Sequence, residues 1–167
     1  DLGRDRPNGT NPSPLRSDEV TRLAIALTRS YTWHRVMEII GHRGCADQCP
    51  ENTVAAVERA ARYVDAVEVD VRRCGSGELV VFHDERVDEL TDGSGRVNDL
   101  PLAELRALDV AGSGEPIPRL GEVLAAVPPG VGTQLELKET GLAPDVRDLL
   151  EKYTVDAAIS SFRPAAL

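Results

Sequence analysis

Lysine is nearly missing from this chain. Only Lys138 and Lys152 occur, and arginine supplies most of the positive charge. The formal charge is −9 over 167 residues, with residues 1–36 carrying +2 and residues 37–167 carrying −11. Such an acidic body argues against a nucleic-acid groove, which needs a Lys/Arg surface to neutralise phosphates. It fits a divalent-cation enzyme, a high-salt cytoplasm or simply a solvated acidic surface. Cysteine is scarce too. Cys45, Cys49 and Cys74 are an odd number with no regular framework, which argues against a disulfide scaffold and predicts a reducing, cytoplasmic setting. Cys45 and Cys49 flank a loop near His42, but their spacing does not match a paired-cysteine zinc ribbon or finger. No apolar run approaches a membrane span, and the apolar stretch Leu23 to Leu27 is too short for a signal peptide. There is no Gly-x-Ser-x-Gly nucleophile elbow and no Walker loop. Met37 is the only methionine, and ordered patterning begins right behind it. Two readings stand: a native start at Met37 with residues 1–36 an upstream extension, or residues 1–36 as a genuine N-terminal arm; in both, residues 37–167 are the domain.

What is present alternates in period. Residues 1–16, rich in Pro, Gly, Asn and Arg, predict an extended arm, and residues 17–29 a short helix starting at Ser17. A first strand is expected over Glu38 to Gly41, then a helix over Thr53 to Tyr63 with Asn52 as its N-cap. Strands follow over Ala66 to Val71 and Leu79 to His83, separated by a Gly75-Ser76-Gly77 turn. Asp92-Gly93-Ser94-Gly95 reads as a further turn. Helices are expected over Leu102 to Leu108, Leu120 to Ala126 and Pro144 to Tyr153. Strands are expected over Gly132 to Lys138 and Ala157 to Ser160. Strands alternating with helices predict an α/β fold on a parallel sheet of βα units, where chemistry gathers at the carboxyl ends of strands.

His42, Asp70, His83 and Lys138 all fall at such ends. Glu68 and Asp70 stand at i and i+2, so both point to one face of their strand. Two carboxylates on a buried face repel unless a cation lies between them, and a hard divalent ion with oxygen ligands, Mg²⁺ or Ca²⁺, resolves the conflict. Glu136 and Lys138 repeat the device, adding a third carboxylate and a point charge for an anionic ligand. His42 and His83 suit a general acid and a general base, since imidazole titrates near neutrality. Asp84 would orient His83 or merely begin the next loop. Arg43 matches phosphate, or pairs with Glu51 on the surface.

These motifs, taken together, resemble the glycerophosphodiester phosphodiesterase family. The matching runs are His42-Arg43-Gly44, Pro50-Glu51-Asn52-Thr53, Glu68-Val69-Asp70-Val71, Val81-Phe82-His83-Asp84, Thr91-Asp92-Gly93, Ile117-Pro118-Arg119-Leu120 with Glu122-Val123-Leu124, Glu136-Leu137-Lys138 and Ser161-Phe162. They come in the family's order across residues 38–162. The resemblance implies a TIM-type (β/α)8 barrel, a divalent metal (usually Ca²⁺ or Mg²⁺) and hydrolysis of a small-molecule glycerophosphodiester to glycerol 3-phosphate and an alcohol. It implies His42 and His83 as the acid/base pair, and Glu68, Asp70 and Glu136 as metal ligands. Arg43 and Lys138 would bind phosphate, with Glu51, Asn52 and Asp84 in support. The chain departs from the family in having Cys74-Gly75-Ser76-Gly77 where Thr-x-Asp-Gly is common. It is also short: a closed barrel takes about 200 residues or more, and only five strands are expected after Met37. The expectation is therefore the barrel's first five or so strands, a fragment with exposed sheet edges. The alternatives are a phospholipase-type phosphodiesterase acting on lipid head groups and a catalytically inactive truncated barrel.

Overall fold

Valine at alternate positions explains why residues 66–73 form the central strand of the sheet. Val67, Val69 and Val71 are fully buried on one face, and Glu68 and Asp70 take the other. The computed structural model describes residues 38–166. The arm at residues 1–16, the helix over 17–29 and the start at Met37 lie outside the described residues.

The elements run β1 (Ile40–Gly41), α1 (Val54–Ala60), β2 (Ala66–Arg73), β3 (Leu79–Val81), α2 (Leu102–Leu105), α3 (Leu120–Ala126), β4 (Gly132–Leu137), α4 (Ala143–Leu150) and β5 (Asp156–Ser160). The sheet order is β1-β2-β4-β5, all parallel, and β3 pairs with β2 from outside that path. Register places Asp70 opposite Glu136, and Glu136 opposite Ser160. Gly41 pairs with Val67, which sets His42 abreast of Glu68. The main core lies on the valine face of β2. There Val57 and Ala60 of α1, Leu120, Val123 and Leu124 of α3, and Val146 of α4 pack against β2, Leu135 and Leu137. A second cluster around Val80, Phe82, Val97, Leu105 and Ile117 supports the excursion that follows β3. The polar face of the sheet, with Glu68, Asp70 and Glu136, is left for the site.

The α/β architecture and four parallel strands follow the expected pattern, and α3 has the expected bounds. Four parallel strands are half of what a (β/α)8 barrel closes with. The expectation of a wholly parallel sheet fails at β3, which runs antiparallel to β2 in the register Val71 with Val81 and Arg73 with Leu79. The cause is the connection. A parallel crossover needs a dozen or more residues, and residues 74–78 are long enough only for a hairpin turn. His83 thus does not close a parallel strand. Instead the hairpin carries it back to the end of β2, where the Phe82 N–H donates to the Asp70 carbonyl (3.0 Å). The N-cap of α1 also differs. Thr53 holds that place, accepting from the Ala56 N–H at 3.1 Å, while Asn52 adopts φ 59° and turns its side chain to the site. Smaller differences are frayed ends: β1 is two residues long, α1 ends at Ala60, α2 at Leu105 and α4 at Leu150, while β2 extends to Arg73.

Candidate active site

A loop after β1 lays two polar residues against the end of β2. Its backbone is shaped by left-handed residues at Arg43 (φ 51°) and Gly44 (φ 79°). Gly44 is required there: a Cβ would stand 2.8 Å from the Ala56 carbonyl carbon, so the loop lies directly on α1. The Arg43 N–H donates to Glu68 Oε2 at 2.9 Å. The Asn52 side chain bonds Asp70 twice. Its Nδ2 donates to Asp70 Oδ2 (2.8 Å) and its Oδ1 accepts the Asp70 N–H (3.1 Å), with Asn52 and Asp70 each 1% exposed. Asn52 is thus a clamp on a buried carboxylate, which explains its tolerated positive φ.

Glu68, Asp70 and Glu136 offer oxygens within 4.8 Å of one another. Lys138 Nζ bridges two of them, at 3.0 Å from Asp70 Oδ1 and 2.5 Å from Glu136 Oε1. Glu68 is left with the least compensation. Its Oε1 is buried and has no hydrogen-bond partner among the described residues. Burial, and then the Asp70 carboxylate, push its pKa up to about 7, opposed by the Arg43 N–H. A buried carboxyl with an orphaned oxygen, facing two more carboxylates, is chemically fitted to a hard cation.

The remaining expected residues border this cluster. The His42 side chain is 71% exposed, with Nε2 3.9 Å from Glu68 Oε2. His83 Nδ1 is 2.7 Å from Asp84 Oδ1, which fixes the ring and leaves Nε2 as its other nitrogen for proton exchange. Arg43 Nη1 pairs with Glu51 Oε1 at 2.7 Å, and its Nε lies 3.6 Å from Asp70 Oδ2, too long for a hydrogen bond. The pair with Glu51 therefore exists, but it is half-buried and holds the guanidinium beside the carboxylate cluster. Glu136, Lys138, His83 and Asp84 line one open cleft of about 220 Å³, together with Arg72, Glu85, Phe162 and Arg163. All ten expected site residues fall at this end of the sheet. Cys45 and Cys49 carry free thiols, and Cys45 packs against the main core. Three polar residues of the cleft, Arg72, Glu85 and Arg163, are outside the expected set, and of these Arg72 continues the 68, 70, 72 alternation onto the same face.

The family model of the glycerophosphoryl diester phosphodiesterase family matches residues 42–166. YhdW of Bacillus subtilis is 39% identical over 141 residues, covering 76% of this chain and 58% of that protein. A glycerophosphodiester phosphodiesterase of Caldanaerobacter subterraneus is 44% identical over 97 residues, covering 53% of this chain and 40% of the relative. Among solved structures, an Oleispira antarctica phosphodiesterase in complex with the product sn-glycerol-3-phosphate superposes with a TM-score of 0.73. It is 34% identical and is covered over 59% of its length by 78% of this chain. A glycerophosphodiester phosphodiesterase from Agrobacterium tumefaciens gives a TM-score of 0.71 at 34% identity, with 76% of this chain over 58% of that one. The chain thus spans at most about three-fifths of the length of these relatives.

Proposed function

The chain belongs to the glycerophosphoryl diester phosphodiesterase family, and from that premise we propose that it hydrolyses glycerophosphodiesters to sn-glycerol 3-phosphate and an alcohol. The observation that carries the reading is the convergence of three carboxylates, two histidines and the positive side chains of Arg43 and Lys138 at one end of the sheet. The product named in the Oleispira antarctica structure is the one this reaction would release.

Glu68, Asp70 and Glu136 would hold a divalent cation, Ca²⁺ or Mg²⁺, which supplies Lewis-acid polarisation of a phosphoryl oxygen when bound. The chain's own groups do the rest. Arg43 and Lys138 bind the phosphoryl oxygens and offset the charge that builds on them. His83 exchanges its proton at Nε2, because Asp84 occupies Nδ1. His42, on the far side of Glu68, supplies the second proton-transfer group. Between them the histidines take a proton from the nucleophile (the adjacent glycerol hydroxyl or a water) and return one to the departing alcohol oxygen. Overall, one water is consumed, one P–O bond breaks and one forms. Asn52 and Glu51 act by holding Asp70 and Arg43 in place. The same proposal assigns residues 37–167 to the family domain and places it in the cytoplasm.

The test is glycerol 3-phosphate release from glycerophosphocholine by the purified chain in Ca²⁺, Mg²⁺ or EDTA. Release in the cation buffers and none in EDTA is expected. A folded chain that releases nothing from glycerophosphocholine or glycerophosphoethanolamine in either cation would overturn the proposal. Hydrolysis of a lyso-lipid alone would move the substrate to lipid head groups.

A further inference from the structure

The proton-transfer role of His83 demands a fixed main chain, and the local backbone does little to supply it. The β3 hairpin ends with the Phe82 N–H on the Asp70 carbonyl, and backbone pairing resumes only at Glu85, whose carbonyl accepts from the Val97 N–H (3.0 Å). Between those points lie His83 and Asp84. Among the described residues, the hydrogen bonds made by their main chain come from one side chain. Arg72 donates to the His83 carbonyl from both Nε (3.0 Å) and Nη2 (2.8 Å).

We propose that Arg72 is a positioning residue for His83: its guanidinium grips the His83 carbonyl with two N–H groups and so sets where the imidazole stands relative to the carboxylate cluster. The catalytic half of this inference rests on the role given to His83 above. The geometry supplies the physical case. Arg72 belongs to β2, the strand that carries Glu68 and Asp70, and shares their face. The grip therefore references the histidine directly to the strand bearing two candidate metal ligands. Two donors in the rigid plane of one guanidinium converge on a single acceptor, which restricts the peptide's rotation as well as its distance. The tethered unit includes Asp84, bonded to His83 Nδ1 at 2.7 Å, so both partners of that pair move together. Arg72 lines the cleft but is half-buried, and its two donors are directed at the carbonyl.

The experiment is NMR of the full chain carrying ¹³C,¹⁵N-labelled histidine, at one fixed pH, for the parent, R72K and R72M, with H83A and H42A assigning the imidazole signals. R72M should displace and broaden the His83 ring signals and leave those of His42 in place. R72K, with a single nitrogen in reach, should displace them part of the way, and it decides the matter if R72M does not fold. Turnover of glycerophosphocholine should fall about 10- to 100-fold in kcat, with KM within about twofold, since misplacement by an ångström can cost that much. His83 signals unchanged in a folded variant, or His42 signals displaced equally, would overturn the proposal. If the parent itself lacks turnover, the phosphodiesterase reading fails, while the NMR spectra still judge the tether.

Discussion

Glu68 makes the protein's stability depend on pH and on cations in a direction that can be worked out. Its folded pKa of about 7 lies above the ordinary 4.5, because burial and Asp70 disfavour its charge. A raised carboxyl pKa means that the folded state holds the proton more tightly than the unfolded state does. The stabilisation it brings is full below about pH 4.5 and is lost as pH rises through about 7. The full shift corresponds to about 3 kcal/mol at 1.36 kcal/mol per unit, and solvent screening reduces it to about 2 kcal/mol. Glu68→Gln keeps an acceptor for the Arg43 N–H and removes the ionisation. In EDTA at pH 8, E68Q should therefore be the more stable protein by about 1–2 kcal/mol, with the gap closing at pH 5. Saturating Ca²⁺ or Mg²⁺ should reverse the order, since a cation at 100 times its Kd contributes about 2.7 kcal/mol to the wild type. Urea melts of both proteins at the two pH values, with EDTA or cation, measure all four differences. An E68Q protein less stable than the wild type in EDTA at pH 8 would refute the electrostatic argument. Equal stabilisation of both proteins by the cation would refute the ligand assignment.

Three further outcomes follow from single contacts. His83→Ala or His42→Ala should lower phosphodiester turnover by about 10²- to 10⁴-fold with a melting temperature near that of the wild type; retained turnover in either would remove that histidine from the acid/base pair. Asn52→Ala breaks both bonds to Asp70 and places alanine at φ 59°, which should cost about 2–4 kcal/mol in a urea melt; a loss below about 1 kcal/mol would show that the clamp is not needed. Gly44→Ala drives a methyl into α1 at a φ of 79°, so thermal unfolding should begin several degrees earlier, and an unchanged midpoint would refute the close packing of that loop.

The site was legible in the sequence wherever its chemistry obeyed strand periodicity. Glu68 and Asp70 at i and i+2, and Glu136 on a neighbouring strand, had only one way to face each other once the strands were parallel, and register then set Asp70 opposite Glu136. The limits of α3 were equally plain, because the Glu122 carboxylate reaches back to the Arg119 N–H (2.8 Å) ahead of the helix and Pro128 follows it. What escaped was contact between segments distant in sequence. Asn52 looks like a helix cap by composition, and only its proximity to Asp70, 18 residues on, turns it into a clamp.

The direction of β3 follows from the length of its connection to β2. A five-residue connection excludes a parallel crossover, and that fact outranks the alternation of strands and helices from which parallelism was expected. The difference matters for the mechanism. In a parallel arrangement His83 would sit at the mouth of its own strand, positioned by its own ladder. In the hairpin it sits just beyond the last rung, where Phe82 closes on Asp70 and the ladder holds it no further. Arg72 is where the same alternation that carries Glu68 and Asp70 reaches that gap. Reading 68, 70 and 72 as one face, and not 68 and 70 alone, links the carboxylates to the histidine through a single strand. On that view the hairpin is the means by which one side of β2 presents acid, acid and guanidinium to a histidine carried by the strand that folds back along it.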